Sequence, residues 1–268
     1  MNKSWISRFK NKKQRLTQVS KNSTISHAGF TLSEILITLG IIGVICAMTI
    51  PTLMQNAQER ATIAAVKKVH STLSQAYILA VQENGTPENW NLTAWCSSAG
   101  AENMLNALAS YLNITKICGS ATGCWINKTY TDLKNNQGIN FYSDPRFAKA
   151  ELIDGSTIAT LIHNPNCTNI NGTSTALKTV CGNIWVDING YKKPNQYGVD
   201  LFIFWISKSG IIPLGTQGET LYTFGSYCNK NSTGAENGIG CAAWLIYSEN
   251  MDYLHCNNLS WGGKTKCD

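Results

Sequence analysis

The sequence predicts an α+β chain. A long N-terminal helix, half membrane span and half amphipathic, should pack on a disulfide-rich globular domain built around an antiparallel sheet. Three observations predict it: a nearly unbroken apolar run from Ile35 to Met54, a helical apolar periodicity that continues from it, and a C-terminal part dense in cysteine, glycine and short β-prone runs.

The first element is the run from Phe30 to Met54. Its 25 residues, rising about 1.5 Å each as a helix, are enough to cross a hydrocarbon core of about 30 Å. Before it stand Lys3, Arg8, Lys10, Lys12, Lys13, Arg15 and Lys21, with no Asp or Glu. The positive-inside bias therefore holds this end in the cytoplasm and places the C-terminal bulk outside. A secretory signal peptide would have an apolar core of only about 7 to 15 residues and a small-residue cleavage site after it. Here the run is longer and is followed by Thr49-Ile50-Pro51-Thr52. A lipoprotein signal would need a small residue before Cys46, where Ile45 stands. A plain single-pass anchor fits the length but gives no reason for Glu34, because a lone carboxylate in such a segment costs several kcal/mol unless it finds a partner.

Gly29-Phe30-Thr31-Leu32-Ser33-Glu34, after a basic leader and before an apolar helix carrying Pro51, resembles the prepilin class: type IV pilins and the pseudopilins of type II secretion. The resemblance covers about residues 22–84, and the leader is longer and more polar than is usual in that family. It implies cleavage between Gly29 and Phe30 by a membrane aspartyl prepilin peptidase, and N-methylation of Phe30. It also implies assembly with other pilin or pseudopilin subunits on an inner-membrane platform. In a filament the helices leave lipid and pack together, and Glu34 becomes tolerable when the Phe30 ammonium of a neighbouring subunit meets it. Gly40 and Gly43 suit close helix approach. The expected location is a single-pass inner-membrane protein with its C-terminal domain outside the cytoplasm, then an extracytoplasmic filament. Two alternatives stay open: a minor or tip subunit acting as an adhesin or ligand binder, and an anchored exported domain that never assembles.

After Pro51, expected to bend the helix rather than end it, apolar residues recur at Ile63, Val66, Val69, Leu73, Ala76, Tyr77 and Ala80. The opposite side carries Gln58, Arg60, Lys67, Lys68, Ser71 and Gln75, and Asn84-Gly85 is a stop signal. The expected parts are therefore a leader, 1–29; a transmembrane or filament-core helix, 30–54; its amphipathic continuation, 55–84; and an exported globular domain, 85–268. Within that domain Ala101 to Leu112 reads as a helix. Thr157 to His163, Ile184 to Ile188, Leu201 to Ser207 and Ala243 to Tyr247 read as strands.

Charge excludes one class of partner. The chain has 22 basic and 16 acidic residues, but seven of the basic ones precede Phe30, leaving 15 against 16. The mature part thus lacks the basic excess of a nucleic-acid binder. An enzyme is not expected either. His70, His163 and His255 are the only histidines after the leader, and no Gly-x-Ser-x-Gly or phosphate-cradling glycine loop is present. The seven tryptophans after the leader sit at strand-like spacings that suit a core better than a sugar platform.

Ten cysteines indicate an oxidising compartment for the domain. Cys46 lies in the apolar run. Sequence leaves the pairing of the rest open; nearest-neighbour closure would join Cys118 to Cys124, Cys167 to Cys181, Cys228 to Cys241 and Cys256 to Cys267, leaving Cys96 free. Pilins often close a C-terminal loop with a disulfide, which the resemblance carries onto Cys256 and Cys267. Zinc would want a Cys-x-x-Cys, and none occurs. Finally, Asp187-Ile188-Asn189-Gly190 with Asp200 places oxygen ligands on a glycine turn. That pattern suits either calcium, which some pseudopilins bind in a loop of their globular domain, or an Asx-rich hairpin. Lys192 and Lys193 inside the loop, and the lack of a closing Glu, favour the hairpin.

Overall fold

The computed structural model describes residues 29–229, 231–232 and 235–268; the basic leader lies outside the described residues. The chain divides into two compact units, residues 1–50 and 51–268. Helix α1 runs Leu32–Asn84, 53 residues, and continues through Pro51. It starts two residues later than the apolar run suggests and stops where Asn84-Gly85 predicts, with Gly85 in the left-handed region at φ 73°. By length and composition it can cross a membrane, and its most apolar 18-residue window has a mean hydropathy of 2.2 with none of it buried.

In the second unit the strands are β1 (Ile114–Gly119), β2 (Ala148–Leu152), β3 (Thr157–Ile162), β4 (Val180–Asp187), β5 (Leu201–Ser207) and β6 (Gly210–Pro213). They form one antiparallel sheet in sequence order, β1 to β6. One face carries Ile158, Ile184, Val186, Phe202, Phe204 and Ile206. Helix α1 covers that face with Val66, Val69, Leu73, Ala76, Tyr77 and Ala80, six of the seven positions read from its period. Helix α2 (Ser98–Ala109) adds Met104, Leu105 and Leu108. It begins on Ser97, whose hydroxyl accepts from Gly100 N–H.

The other face carries Ala159, Leu161, Trp185, Ile203 and Trp205 under a lid of irregular chain that includes Trp125, Tyr130, Phe141 and Tyr197. Burial on both faces explains why β5 reads as an unbroken apolar run rather than an alternating one. Trp90, Trp125, Trp185, Trp205 and Trp244 are all core residues, whereas Trp95 is 68% exposed.

One element differs in kind from its expectation. Ala243 to Tyr247 is not a strand but the body of helix α4 (Ala242–Ser248), which follows the short helix α3 (Phe224–Tyr227). Its apolar run is buried from Ala242 to Leu245, and such a run has no period to separate helix from strand.

Four cysteine pairs sit at disulfide distance: Cys118 with Cys124, Cys167 with Cys181, Cys228 with Cys241, and Cys256 with Cys267, with Cα separations of 4.0 to 5.8 Å. Cys46 and Cys96 are unpaired. Thiol titration of the oxidised protein in denaturant should therefore find two reactive thiols per chain; four or more would refute this pairing.

Candidate functional site

Two places in the chain hold the site residues the sequence predicts. The first is the start of α1. Glu34 Oε2 accepts from Thr31 N–H at 2.8 Å and from Thr31 Oγ1 at 2.8 Å, while Glu34 N–H donates to Thr31 Oγ1 at 3.2 Å. This reciprocal pair is a capping box. The Thr-x-x-Glu spacing was visible in the sequence but was read only for its carboxylate. Around it Phe30, Leu32, Leu36, Ile37 and Leu39 are exposed. A long helix with apolar side chains exposed on every side needs lipid or other protein around it. Cys46 and Pro51 lie further along the same helix and Pro51 does not interrupt it.

The second place is the connection between β4 and β5. Asp187, at the end of β4, is 0% exposed and Asp200, just before β5, is 2% exposed. Asp187 Oδ1 accepts from Asn189 N–H at 2.9 Å and Gly190 N–H at 2.7 Å, and its Oδ2 accepts from the Tyr130 hydroxyl. Asp200 accepts from Asn195 N–H at 2.6 Å, Gln196 N–H at 2.7 Å and Asn189 Nδ2 at 3.2 Å. Gly190 has φ 65° and a Cβ there would run into the Gly155 carbonyl, so the turn requires glycine. The connection is thus an Asx turn at Asp187, with Asp200 fastening its far side by accepting from the backbone of Asn195 and Gln196.

A calcium ion wants six to eight oxygens. The oxygens of Asp187 already have N–H and O–H donors, and of Asp187, Asn189 and Asp200 only the latter two line the neighbouring cavity. Among the described residues no three His, Cys, Asp or Glu side chains converge as metal ligands. Asp187, Asn189 and Asp200 are engaged in the hydrogen bonds of the connection itself. Tyr130 was missed by sequence reasoning; it lies 57 positions from Asp187 and nothing local announces it.

Burial, with the nearby Asp200 carboxylate, pushes Asp187 up from 3.8 to about 7. Burial alone also raises Glu219, which accepts from Trp205 Nε1 at 3.0 Å and Gly215 N–H at 2.8 Å, from 4.5 to about 7. His163, half-buried beside Asn183, is lowered by desolvation from 6.5 to about 4. Raised carboxyls give stability that is full below their unfolded values and is lost as pH rises through about 7. The lowered histidine has the opposite sign, with stability present above 6.5 and lost as pH falls towards about 4. Burial also raises Asp200 and Glu236 and lowers His70, so four carboxyls stand against two imidazoles and the urea midpoint should rise as pH is lowered from about 8 to about 5.5. His163→Gln should enlarge the rise, and a falling midpoint would contradict this assignment.

No family model matches the chain, and no match was found among curated proteins or solved structures.

Proposed function

We propose that this chain is a pilin-like structural subunit. It is made as a prepilin, cut between Gly29 and Phe30, N-methylated at Phe30 and held in the inner membrane by α1. It then assembles with other pilin or pseudopilin subunits into a type II secretion pseudopilus or a type IV pilus. The observation that carries this reading is one uninterrupted helix, Leu32–Asn84, whose apolar first half is exposed and opens on Glu34, and whose second half is the packed face of a disulfide-stapled domain. A simple anchor needs neither the carboxylate nor the continuity. The role is mechanical, with no reaction and no cofactor assigned to it.

Its partners on this reading are the prepilin peptidase, the inner-membrane assembly platform, membrane lipid and like subunits. Counting chains in sheared filaments tests it. Many copies per filament fit a principal subunit, a few would make it a minor or tip subunit, and none would leave only an anchored exported domain.

A further inference from the structure

The apolar run of α1 ends on Leu53 and Met54, both exposed. Gln58 stands four residues further on and Arg60 six, about 6 and 9 Å along the helix. At that height two parts of the domain come against α1. Pro194, in the β4–β5 connection, lines a cavity with Gln58 and Ala61. Leu254 lines another with Gln55 and Glu59, and His255 Nε2 lies 2.8 Å from Glu59 Oε1. Lys192 and Lys193 immediately precede Pro194, so the connection brings them close to the end of the apolar run.

Charge at this height is one-sided. Arg60, Lys192 and Lys193 are exposed, and among the described residues none of them is in an ion pair. The acidic side chains around them are engaged: Glu59 with His255, Glu151 with the Tyr191 hydroxyl, and Asp187 and Asp200 with backbone N–H groups of the connection. Cations within about 8–10 Å, one Debye length, of the end of a run long enough to cross a membrane are complementary to an anionic bilayer surface.

We propose that Arg60, Lys192 and Lys193 dock the domain on the phosphate groups of an anionic phospholipid bilayer, the one that holds α1 before assembly. This rests on the membrane-held stage of the reading above and names what the domain touches there. Long basic side chains beside a span reach lipid phosphate while their methylene stems lie along the chain. Position selects these residues rather than exposure alone. Lys178 is equally exposed and has no ion pair among the described residues, but it stands before β4. The eight residues of that strand put it about 27 Å from the connection.

The test uses the full chain in nanodiscs of phosphatidylcholine alone or of phosphatidylcholine and phosphatidylglycerol in equal parts, and follows acylation of each lysine by an N-hydroxysuccinimide ester with mass spectrometry. Only the neutral amine reacts, and an anionic surface concentrates protons. Phosphatidylglycerol should therefore slow Lys192 and Lys193 about threefold, leave Lys178 unchanged, and lose its effect in about 0.5 M NaCl. Arg60→Glu should lessen the slowing at both lysines. Equal rates in the two lipids, with the chain still in the discs, would overturn the docking and leave the membrane-held reading standing. Slowing that reaches Lys178 equally, or that Arg60→Glu leaves intact, would overturn this surface as the docking site. Equal slowing by sodium phosphate in phosphatidylcholine discs would give the lysines to a free anion and overturn the bilayer as partner. A chain that does not enter the discs would remove both readings.

Discussion

Glu34→Ala is expected to insert into the membrane at the wild-type level and to lose filament assembly by more than a hundredfold. Two effects of the carboxylate have to be separated. Within one chain Glu34 closes a capping box with Thr31, and loss of such a cap costs about 1 kcal/mol, or about fivefold in an equilibrium. Between chains, on the filament reading, it is the buried partner of a Phe30 ammonium. Breaking a buried pair of that kind costs about 3–5 kcal/mol, which exceeds a hundredfold.

Glu34→Gln decides between them, because an amide oxygen can still accept from Thr31 but carries no charge. The expected result is that Gln fails almost as badly as Ala, with both variants recovered in the membrane fraction and absent from sheared filaments. Assembly restored by Gln would reduce Glu34 to a helix cap.

Asp187→Ala should destabilise the globular domain by about 3–5 kcal/mol, read as a lowered urea midpoint or as failure to accumulate. The side chain, itself 0% exposed, accepts from the Tyr130 hydroxyl, Asn189 N–H and Gly190 N–H. Each buried donor left without an acceptor costs about 1–3 kcal/mol. Removing one of two neighbouring carboxylates relieves repulsion with Asp200, and this gain offsets part of the loss but not three orphaned donors. Asp187→Asn keeps an acceptor oxygen and the volume, and should cost about half as much. Against a total stability of about 5–15 kcal/mol, the alanine change is large enough to unfold a marginal domain. An unchanged midpoint would mean that Tyr130 and the turn are held by something else.

These residues also show what was legible in the sequence. The buried face of α1 was readable because Val66, Val69, Leu73 and Tyr77 obey a period that one helix imposes by itself, and Asn84-Gly85 ends it with local chemistry. β5 was readable over its whole length because Leu201 to Ser207 is bounded by turn residues. β4 was not: it begins at Val180, four residues before the expected start, and Cys181-Gly182-Asn183 has loop composition that only pairing on both sides converts to strand. The edge strand β1 and the alanine-rich β2 carry little apolar signal, and β6 is only four residues long.

At the candidate sites, Glu34 and the Asx turn could be seen because their spacing is short. Tyr130 beneath Asp187, and Gln58 across the cavity from Asp200, could not, since their neighbours are set by the tertiary fold alone.

Mass spectrometry of the N-terminal peptide of protein recovered from membranes tests whether the chain travels the prepilin route. The expected result is a chain beginning at N-methylated Phe30. A chain beginning at Met1, or beyond residue 46, would contradict it and leave a plain anchor or a secreted domain in place of a filament subunit.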